Sequence, residues 1–489
     1  MLPYIETPGE IKIVTLESLT FNDEFVRSQL SEVAHRWPPL KDIPIGQTSL
    51  QKRIRRKRNQ CIRVFRKHYG VSCKRILPPH IVEISGLLEI SLEILGKVLV
   101  LETAIPDIER LIETDWIAHI ELDKEKRYRD HITHPVRVTA IGWWLLHRNK
   151  GTLLKHLAEY YESNTSEYCR RHDIHDQINV WWDKKANSLS EKIIDKIEDS
   201  PPDHLLPWMA ILEYAWLVCG LLHDSAYPLE HHLRSCKRLK KRFGHTMPFL
   251  NHLVGNFNSR ISLNNQLDFL RDSWFFSYIN NFGERVSDCF EDCDAKHIVQ
   301  NESGKHPHAV LGALHHLSSI KNDIHSVQGL VFQMACRAIT THHDIKDDRS
   351  DHKDREIKND GLALLLFISD VLQAWKRPFI QRTGILSAAD SGKDEQKIFR
   401  LYECKEIELN PDGMRYHTIF KMNEDRNEQK ILKSEPYKWE LEKFQKPNRI
   451  IEHYLQENPD YPKIILSQLC CIHPPEFLTF MQKKKGTRV

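Results

Sequence analysis

The stretch "AILEYAWLVCGLLHD" (210–224) decides how the rest of the chain is interpreted. Apolar residues run through it almost without a break, which predicts a helix that is buried on all sides. The run ends on His223 and Asp224. At the end of a buried helix, these two side chains are either metal ligands or parts of a helix cap. The metal hypothesis therefore requires further ligands elsewhere in the chain.

Length and composition are those of an ordinary globular protein. The chain has 489 residues, of which 40% are hydrophobic and 28% charged, and its net charge is only +3. We expect two or three domains with a large core, and no overall electrostatic field favours nucleic acid as a partner. No apolar run approaches the roughly 18–20 residues that span a bilayer, and the acidic N-terminus has no signal pattern. We expect a cytoplasmic protein with no membrane partner.

The cysteine and histidine counts bear on metal chemistry. The 11 cysteines are scattered and form no CxxC pair, which disfavours a zinc knuckle or a disulfide framework. The chain has an unusually large number of histidines, 28. Histidine is the commonest metal ligand among side chains. Metal chemistry based on histidine is therefore the first function class to test.

Helical periodicity covers most of the first 380 residues and predicts a mainly α fold. Helices are predicted at 80–104, 134–147, 210–224, 308–320, 329–344 and 360–375. Asp360-Gly361 is a candidate N-cap for the last of these helices. The expected domains are an N-terminal helical region at 1–110, a helical core at 111–380 with insertions at about 150–205 and 233–305, and a small C-terminal α+β region at 381–489.

Strand signals occur only late in the chain. "KIFRLYECKEIEL" and "MRYHTIFKM" flank the turn sequence "NPDG" (410–413). Pro411 fixes φ there and Gly413 permits a positive φ, so we predict a β-hairpin over 398–422.

The segment "LQKRIRRKRNQCIRVFRKHYG" (50–70) has a dense run of lysine and arginine. It is either a patch that binds phosphate or nucleic acid, or the solvated face of a helix with Ile54, Ile62 and Val64 turned inward. The second interpretation is favoured.

Further histidines and aspartates lie within or at the ends of predicted apolar helices, as His223 and Asp224 do. An unpaired buried charge is costly, so ionisable groups in such apolar segments need partners. A metal ion would provide one partner for all of them. In chain order they are His134, His223 with Asp224, His308, His342 with His343, and Asp370.

This ordered set resembles the HD-domain metal-dependent phosphohydrolase superfamily over roughly residues 125–380. In the resemblance, His134 is the first histidine, His223-Asp224 is the HD pair and Asp370 is the final aspartate. "HDSAYPLE" (223–230) and "ISDVLQAWKRP" (368–378) are similar to local patterns in that superfamily. "GYP" does not follow His342-His343, which weakens the resemblance to the cyclic dinucleotide hydrolases among its members.

The resemblance implies an HD-domain helical core that hydrolyses a nucleotide phosphate bond at a metal centre. Mixed imidazole and carboxylate ligands favour Mn²⁺, Fe²⁺, Ni²⁺, Co²⁺ or Zn²⁺ over Mg²⁺, and the set is large enough for one or two ions. His131 would be a second-layer partner of His134. The implied catalytic residues are His134, His223, Asp224, His308 and Asp370, and the implied metal ligands are these five with His342, His343 and Asp130.

Cations and aromatic rings beside the ligands are candidates for substrate binding. Arginine suits bidentate phosphate binding, and an aromatic ring can stack on a base or bond a ribose hydroxyl. Surface ion pairs and core packing are the competing explanations. The candidates are Arg129, Arg137, Tyr227, Lys305, Arg337, Trp375, Lys376 and Arg377. The pairs His231-His232 and His315-His316 are expected on polar faces or in loops.

Within the superfamily we expect a deoxynucleoside triphosphate triphosphohydrolase, because "RDHITH" (129–134) and the long insertions resemble nucleotide-handling members. The resemblance implies a possible regulatory nucleotide, a homo-oligomer and, for some bacterial members, antiphage defence. One alternative is a cyclic-nucleotide or oligonucleotide phosphodiesterase or an HD nuclease, for which 50–70 would be the basic groove. Another is a nucleotide-sensing regulatory or scaffold protein that docks a partner protein and has a non-catalytic HD site.

Overall fold

The computed structural model describes the chain in segments separated by gaps. The described part is mostly helical, which confirms the prediction of a mainly α protein. In the strands and at some helix ends only the backbone is described. The described residues are 18–21, 23–42, 51–52, 54–56, 59, 81–101, 104, 133–195, 197, 201–228, 230, 268–278, 307–347, 360–373, 379–381, 397–399, 404–410, 413–419 and 471–472.

Six of the nine described helices begin within four residues of where the apolar periodicity predicts them. A π-helical turn, Ile94–Val98, extends the second helix. The helices are α1 (Asp23–Arg36), α2 (Ile81–Glu93), α3 (His134–Arg171), α4 (Ile174–Ile194), α5 (Leu206–Leu222), α6 (Trp274–Tyr278), α7 (Pro307–Ser319), α8 (Val327–Asp347) and α9 (Gly361–Leu372). Of these, α1, α4 and α6 were not predicted.

The core is built around α5, against which α3, α8 and α9 pack. All 17 residues of α5 are buried. Helices α3 and α5 run antiparallel. His134 at the start of α3 lies beside His223, which follows α5, whereas His147 further along α3 bonds Glu213 in the middle of α5. This antiparallel pairing brings two histidines that are far apart in sequence to one end of the helix pair.

The apolar helix at the centre of the core corrects one expectation from the sequence. No apolar run was expected to approach the length of a membrane span. Asp203–Leu222 is nevertheless long and apolar enough to cross a membrane by length and composition, with a mean hydropathy of 1.7. Residues 205–222 of that stretch are all buried inside the described protein. Complete burial is the environment expected for the central helix of a large core.

Helix α3 also differs from the prediction, because it continues for 38 residues where a helix ending at 147 was predicted. Part of the predicted insertion at 150–205 therefore belongs to a core helix. Leu154, Leu157 and Tyr161 recur at helical spacing and are buried. Exposed polar residues of that part, such as Ser163 and Asn164, lie on the other face of α3. The second predicted insertion, 233–305, lies outside the described residues except for 268–278.

Short strands are described at β1 (Ser18–Phe21), β2 (Phe379–Gln381), β3 (Lys397–Phe399), β4 (Cys404–Asn410), β5 (Gly413–Ile419) and β6 (Cys471–Ile472). Strands β4 and β5 pair antiparallel within the segment where a hairpin is predicted, and Asn410 lies opposite Gly413. Strand β1 pairs with β4, and β6 runs parallel to β5. The α+β region at 381–489 stays a prediction, because most of it lies outside the described residues.

A buried polar network connects the start of α9 to α3 and α8. Asp360 caps α9 by accepting the N–H of Ala363 at 3.0 Å, as predicted. The same carboxylate accepts the Tyr161 hydroxyl at 2.6 Å and pairs with Nε of Arg337 at 2.9 Å. Burial, and then the negative charge of Asp360, raise the pKa of Tyr161, so its hydroxyl remains a donor. The network fixes the position of the helix that also contains Asp370.

The described part of the basic segment agrees with the solvated-face interpretation. Ile54 is buried, whereas Lys52, Arg55 and Arg56 are exposed. This is the arrangement of an amphipathic helix. Ile62 and Val64 lie outside the described residues.

The cysteines whose side chains are described pack as small apolar side chains, as predicted. Cys169, Cys219 and Cys336 are buried and have free thiols. Burial raises the pKa of all three thiols, to about 11 for Cys169. They therefore stay neutral in neutral solution.

Helices α3 and α5 approach each other closely at Gly142. A Cβ atom there would lie 1.8 Å from Cζ2 of the buried Trp216. We expect Gly142→Ala to lower the free energy of unfolding by about 3 kcal/mol or more, because a close-packed core cannot move the indole away. Urea unfolding followed by circular dichroism measures this loss.

The control is Gly86→Ala in α2. A Cβ atom at Gly86 would meet only the end of the Arg27 side chain, at 3.2 Å. This substitution should be neutral or slightly stabilising, because alanine is the better helix former. Equal losses in the two variants would contradict the close approach at Gly142.

Candidate metal centre

The candidate metal centre lies where α3 begins and where α5 and α9 end. His134 is the first residue of α3, His223 follows the last residue of α5, and Asp370 lies in the last turn of α9. One ligand atom from each residue lies within 4.8 Å of the other two, and all three residues are buried. The packing of three helices thus brings together residues that are distant in sequence.

The distances within this group match those between neighbouring ligands of one ion. Nε2 of His134 lies 3.4 Å from Nε2 of His223 and 3.0 Å from Oδ1 of Asp370. Ligand atoms about 2.1 Å from a metal are roughly 3.0 Å apart in octahedral geometry and about 3.4 Å apart in tetrahedral geometry. One ion could therefore contact all three side chains.

Asp224 directs one carboxylate oxygen toward this group and the other toward His308. Its Oδ2 lies 3.8 Å from Nε2 of His134 and 3.7 Å from Nε2 of His223. Its Oδ1 lies 3.6 Å from Nε2 of His308. A carboxylate in this position could bridge two ions. Hereafter, the metal cluster means His134, His223, Asp224 and Asp370.

Three of the imidazoles are oriented through their second ring nitrogen. In each, Nδ1 contacts an oxygen that can only accept a hydrogen bond, so Nδ1 carries the proton. Nε2 then has its lone pair available as a metal ligand. The contacts are His134 Nδ1 with Gln373 Oε1 at 2.5 Å, His223 Nδ1 with the Gly220 carbonyl at 2.9 Å, and His342 Nδ1 with the Ile339 carbonyl at 2.6 Å.

The electrostatics of the cluster favour a bound cation. The facing Nε2 atoms of His134 and His223 both offer lone pairs, and the carboxylates of Asp224 and Asp370 lie beside them. Concentrated negative charge is costly in a buried site. A proton on one imidazole would satisfy only its nearest neighbours, whereas a divalent ion would satisfy the whole group. Two imidazoles with two carboxylates fit a first-row transition metal.

His308 extends this group from the first turn of α7. Its Nδ1 bonds Oε2 of Glu230, and its backbone N–H donates to the same oxygen at 3.2 Å. Glu230 is 1% exposed. A carboxylate at Nδ1 orients the ring and makes it a stronger ligand. His308 and Asp224 could therefore contribute to a second ion.

Among the remaining predicted ligands, the side chain is described for His342 alone. His342 is buried, and the centroid of its ring lies 5.9 Å from that of His223. His343 belongs to α8, but its side chain lies outside the described residues. Asp130 and His131 also lie outside them.

Tyr227 is the one predicted substrate contact that the described structure places at the edge of the centre. It is half-buried, and the centroid of its ring lies 6.2 Å from that of His308. Its backbone N–H donates to the carbonyl of Asp224 at 3.0 Å. Five other candidates lie outside the described residues, namely Arg129, Lys305, Trp375, Lys376 and Arg377. The pair His231-His232, which was expected on a polar face or in a loop, lies outside them as well.

Arg137 and Arg337 differ from the expectation that they face a phosphate. Arg137 is 3% exposed and pairs with Asp23, with Nε and Oδ1 2.9 Å apart. Arg337 is 1% exposed, pairs with Asp360 and stacks over Trp274 at 4.9 Å. Both guanidinium groups thus pair with buried carboxylates outside the metal cluster, which corrects their predicted role.

The residues that support the ligands could not be recognised from the sequence. Gln373 and Glu230 lie inside the two quoted motifs, three residues after Asp370 and six after Asp224, but spacing alone does not show which ring nitrogen they contact. His316 was expected on a polar face. It is instead 2% exposed, and its Nε2 lies 2.6 Å from Oγ of Ser225. His315 is exposed, as expected.

Comparison of the chain with protein-family models, with curated proteins and with solved structures finds no match.

Removing the partner of His134 should weaken metal binding without removing a ligand. We expect Gln373→Leu to lower the affinity for Mn²⁺ or Co²⁺ about 10- to 100-fold, because the ring loses its orientation and its fixed tautomer. Isothermal titration calorimetry measures the affinity.

The matched control for this experiment is Gln333→Leu. Gln333 is also a buried glutamine, and its amide bonds Tyr168, Ile324 and the N–H of Phe275. This variant should lose stability but keep its metal affinity. Similar metal affinities in both variants would contradict the role given to Gln373.

Proposed function

We propose that this protein is a metal-dependent phosphohydrolase of the HD superfamily that hydrolyses nucleotide phosphate bonds. Within that class we favour deoxynucleoside triphosphate triphosphohydrolase activity. The proposal is supported above all by the proximity of His134, His223 and Asp370, three buried residues that are far apart in sequence. The resemblance of the ordered ligand set supplies the reaction class. The helical core would then be an HD domain.

The chain offers ligands of the right chemistry for a divalent transition metal. His134, His223, Asp224 and Asp370 would hold the first ion, and Asp224 with His308 would contribute to a second. A bound divalent ion supplies a Lewis acid, which activates water and offsets charge on phosphoryl oxygens. Mn²⁺, Fe²⁺, Ni²⁺, Co²⁺ and Zn²⁺ are the candidates that suit this donor set.

The side chains around the ligands have separate tasks in this proposal. Gln373 and Glu230 hold His134 and His308 in the orientation that presents Nε2. The residues of the metal cluster are buried, which would limit access of water and strengthen electrostatic interactions at the reacting phosphate. Tyr227, at the edge of the centre, would contact the base or the ribose.

The proposal is tested by incubating the Mn²⁺-loaded protein with each ribonucleotide and deoxyribonucleotide triphosphate, singly and in mixtures. Products are resolved by anion-exchange chromatography. We expect a deoxynucleoside triphosphate to be consumed, and mixtures to show whether a second nucleotide regulates the rate.

Two other outcomes would replace this proposal. Cleavage of single-stranded DNA, RNA or cyclic dinucleotides, without turnover of triphosphates, would favour the phosphodiesterase or nuclease alternative. Retention of metal and binding of nucleotide without turnover of any of these substrates would favour the nucleotide-sensing alternative.

A further inference from the structure

We propose that His316 is a positioning residue for the metal cluster, and that it acts through Ser225 on the turn that contains Asp224. The inference rests on the proposed metal centre and adds to it a residue that coordinates no ion. His316 lies two helical turns beyond His308 on α7, and its imidazole bonds the hydroxyl next to Asp224.

One face of α7 lies directly on that turn. His308, Gly312 and His316 follow one another at intervals of four residues, which places them along one side of the helix. His308 Nε2 lies 3.6 Å from Oδ1 of Asp224, and His316 Nε2 lies 2.6 Å from Oγ of Ser225. Between them, a Cβ atom at Gly312 would already be 3.4 Å from Cβ of Ala226. The helix and the turn therefore come close to each other at three successive positions along this side of α7.

The hydrogen bond between His316 and Ser225 is well protected from solvent. His316 is 2% exposed and Ser225 is 6% exposed. The backbone of Ser225 is also held, because its N–H donates to the carbonyl of Leu222 at 3.0 Å. A buried hydroxyl that loses its partner cannot readily exchange it for water, so this contact contributes to the position of the turn.

The position of the turn matters because the Asp224 carboxylate lies between two groups of candidate ligands. Its Oδ2 faces His134 and His223, while its Oδ1 faces His308. Metal sites require ligand positions within about 0.5 Å, so a small shift of this turn would alter both sets of distances. The contact between His316 and Ser225 thus fixes the position of Asp224 relative to α7. It thereby fixes the distances from Asp224 to the histidines that would bind the two ions.

The test measures Co²⁺ binding, which does not depend on hydrolysis. Ser225→Ala and His316→Phe are each titrated with Co²⁺, and the visible absorption bands are recorded together with the affinity. We expect about a 10-fold or greater loss of affinity and a changed spectrum in each variant. The double variant should lose no more than either single variant, because both remove the same contact.

The matched control is Tyr168→Phe, which removes another hydroxyl–imidazole contact of the described structure. The Tyr168 hydroxyl lies 3.0 Å from Nδ1 of His325, outside the metal cluster. This variant should lose stability while its cobalt spectrum stays that of the wild type. His316→Gln, which can still form a hydrogen bond with Oγ of Ser225, should restore part of the affinity.

The outcomes separate this inference from the proposed function. Wild-type Co²⁺ binding in Ser225→Ala and His316→Phe would overturn the role of His316, whatever the enzyme activity. Weakened binding in both variants, combined with a wild type that hydrolyses no nucleotide, would support the positioning role and refute the phosphohydrolase. A wild type that binds no Co²⁺ would overturn both.

Discussion

Asp224→Asn should leave a folded protein that has lost hydrolytic activity by roughly 1,000-fold or more. The asparagine keeps the size of the side chain but removes the negative charge that faces His134, His223 and His308. Metal ions contribute several kcal/mol of transition-state stabilisation, and each 1.36 kcal/mol corresponds to a factor of ten in rate. Nucleotide turnover and the metal content after dialysis are measured on the same samples.

A stability control for this variant is Glu213→Gln. Glu213 is also a buried carboxylate bonded to a histidine, since its Oε1 lies 2.5 Å from Nε2 of His147. It lies along the same pair of helices but outside the metal cluster. We expect Glu213→Gln to lose stability and to keep both metal and activity. Turnover by Asp224→Asn at the rate of the wild type would assign the measured activity to a contaminant and refute the proposed mechanism.

Asp360→Ala should have the largest effect on stability, with a loss of about 3–5 kcal/mol in the free energy of unfolding. Removing one partner of a buried ion pair leaves the other charge uncompensated, and Arg337 is 1% exposed. The substitution also removes the cap of α9 and the acceptor of the Tyr161 hydroxyl. Such a loss is a large part of the stability of an ordinary domain. Thermal and urea unfolding, followed by circular dichroism, measure it.

The corresponding surface control is Asp42→Ala. Asp42 is 73% exposed at its side chain and lies 3.3 Å from Nζ of Lys185. Exposed ion pairs contribute little, so we expect a change within about 0.5 kcal/mol. If the protein with Asp360→Ala unfolds at the same urea concentration as the protein with Asp42→Ala, the buried network does not stabilise α9.

Helix positions could be predicted from the sequence because apolar spacing reflects burial directly. The stretch at 210–224 predicts a helix buried on all sides, and α5 is buried throughout. Asp360 was also recognisable as a cap, because capping depends on local residue type. The length of α3 was not predicted, because its second half has a wide polar face and only a narrow buried stripe.

Part of the metal cluster could be predicted for a different reason. Imidazoles and carboxylates in apolar helices are chemically conspicuous, so His134, His223 and Asp370 stand out in the sequence itself. Their supporting contacts are not conspicuous, because a glutamine or a serine has many ordinary uses. Whether Arg137 faces a phosphate or Asp23 depends on how α1 packs against α3, and no local pattern reports that packing.

The carbonyl contacts of His223 and His342 have a consequence for how the protein would respond to a chelator. Each ring is anchored to a carbonyl three residues earlier in its own helix, so the protein itself supplies the orientation. Removal of bound ions by a chelator should therefore leave the protein folded. A different ion could then be bound by the same preformed set of donor atoms. Metal replacement in one preparation, without refolding, would then show which ion the proposed centre prefers.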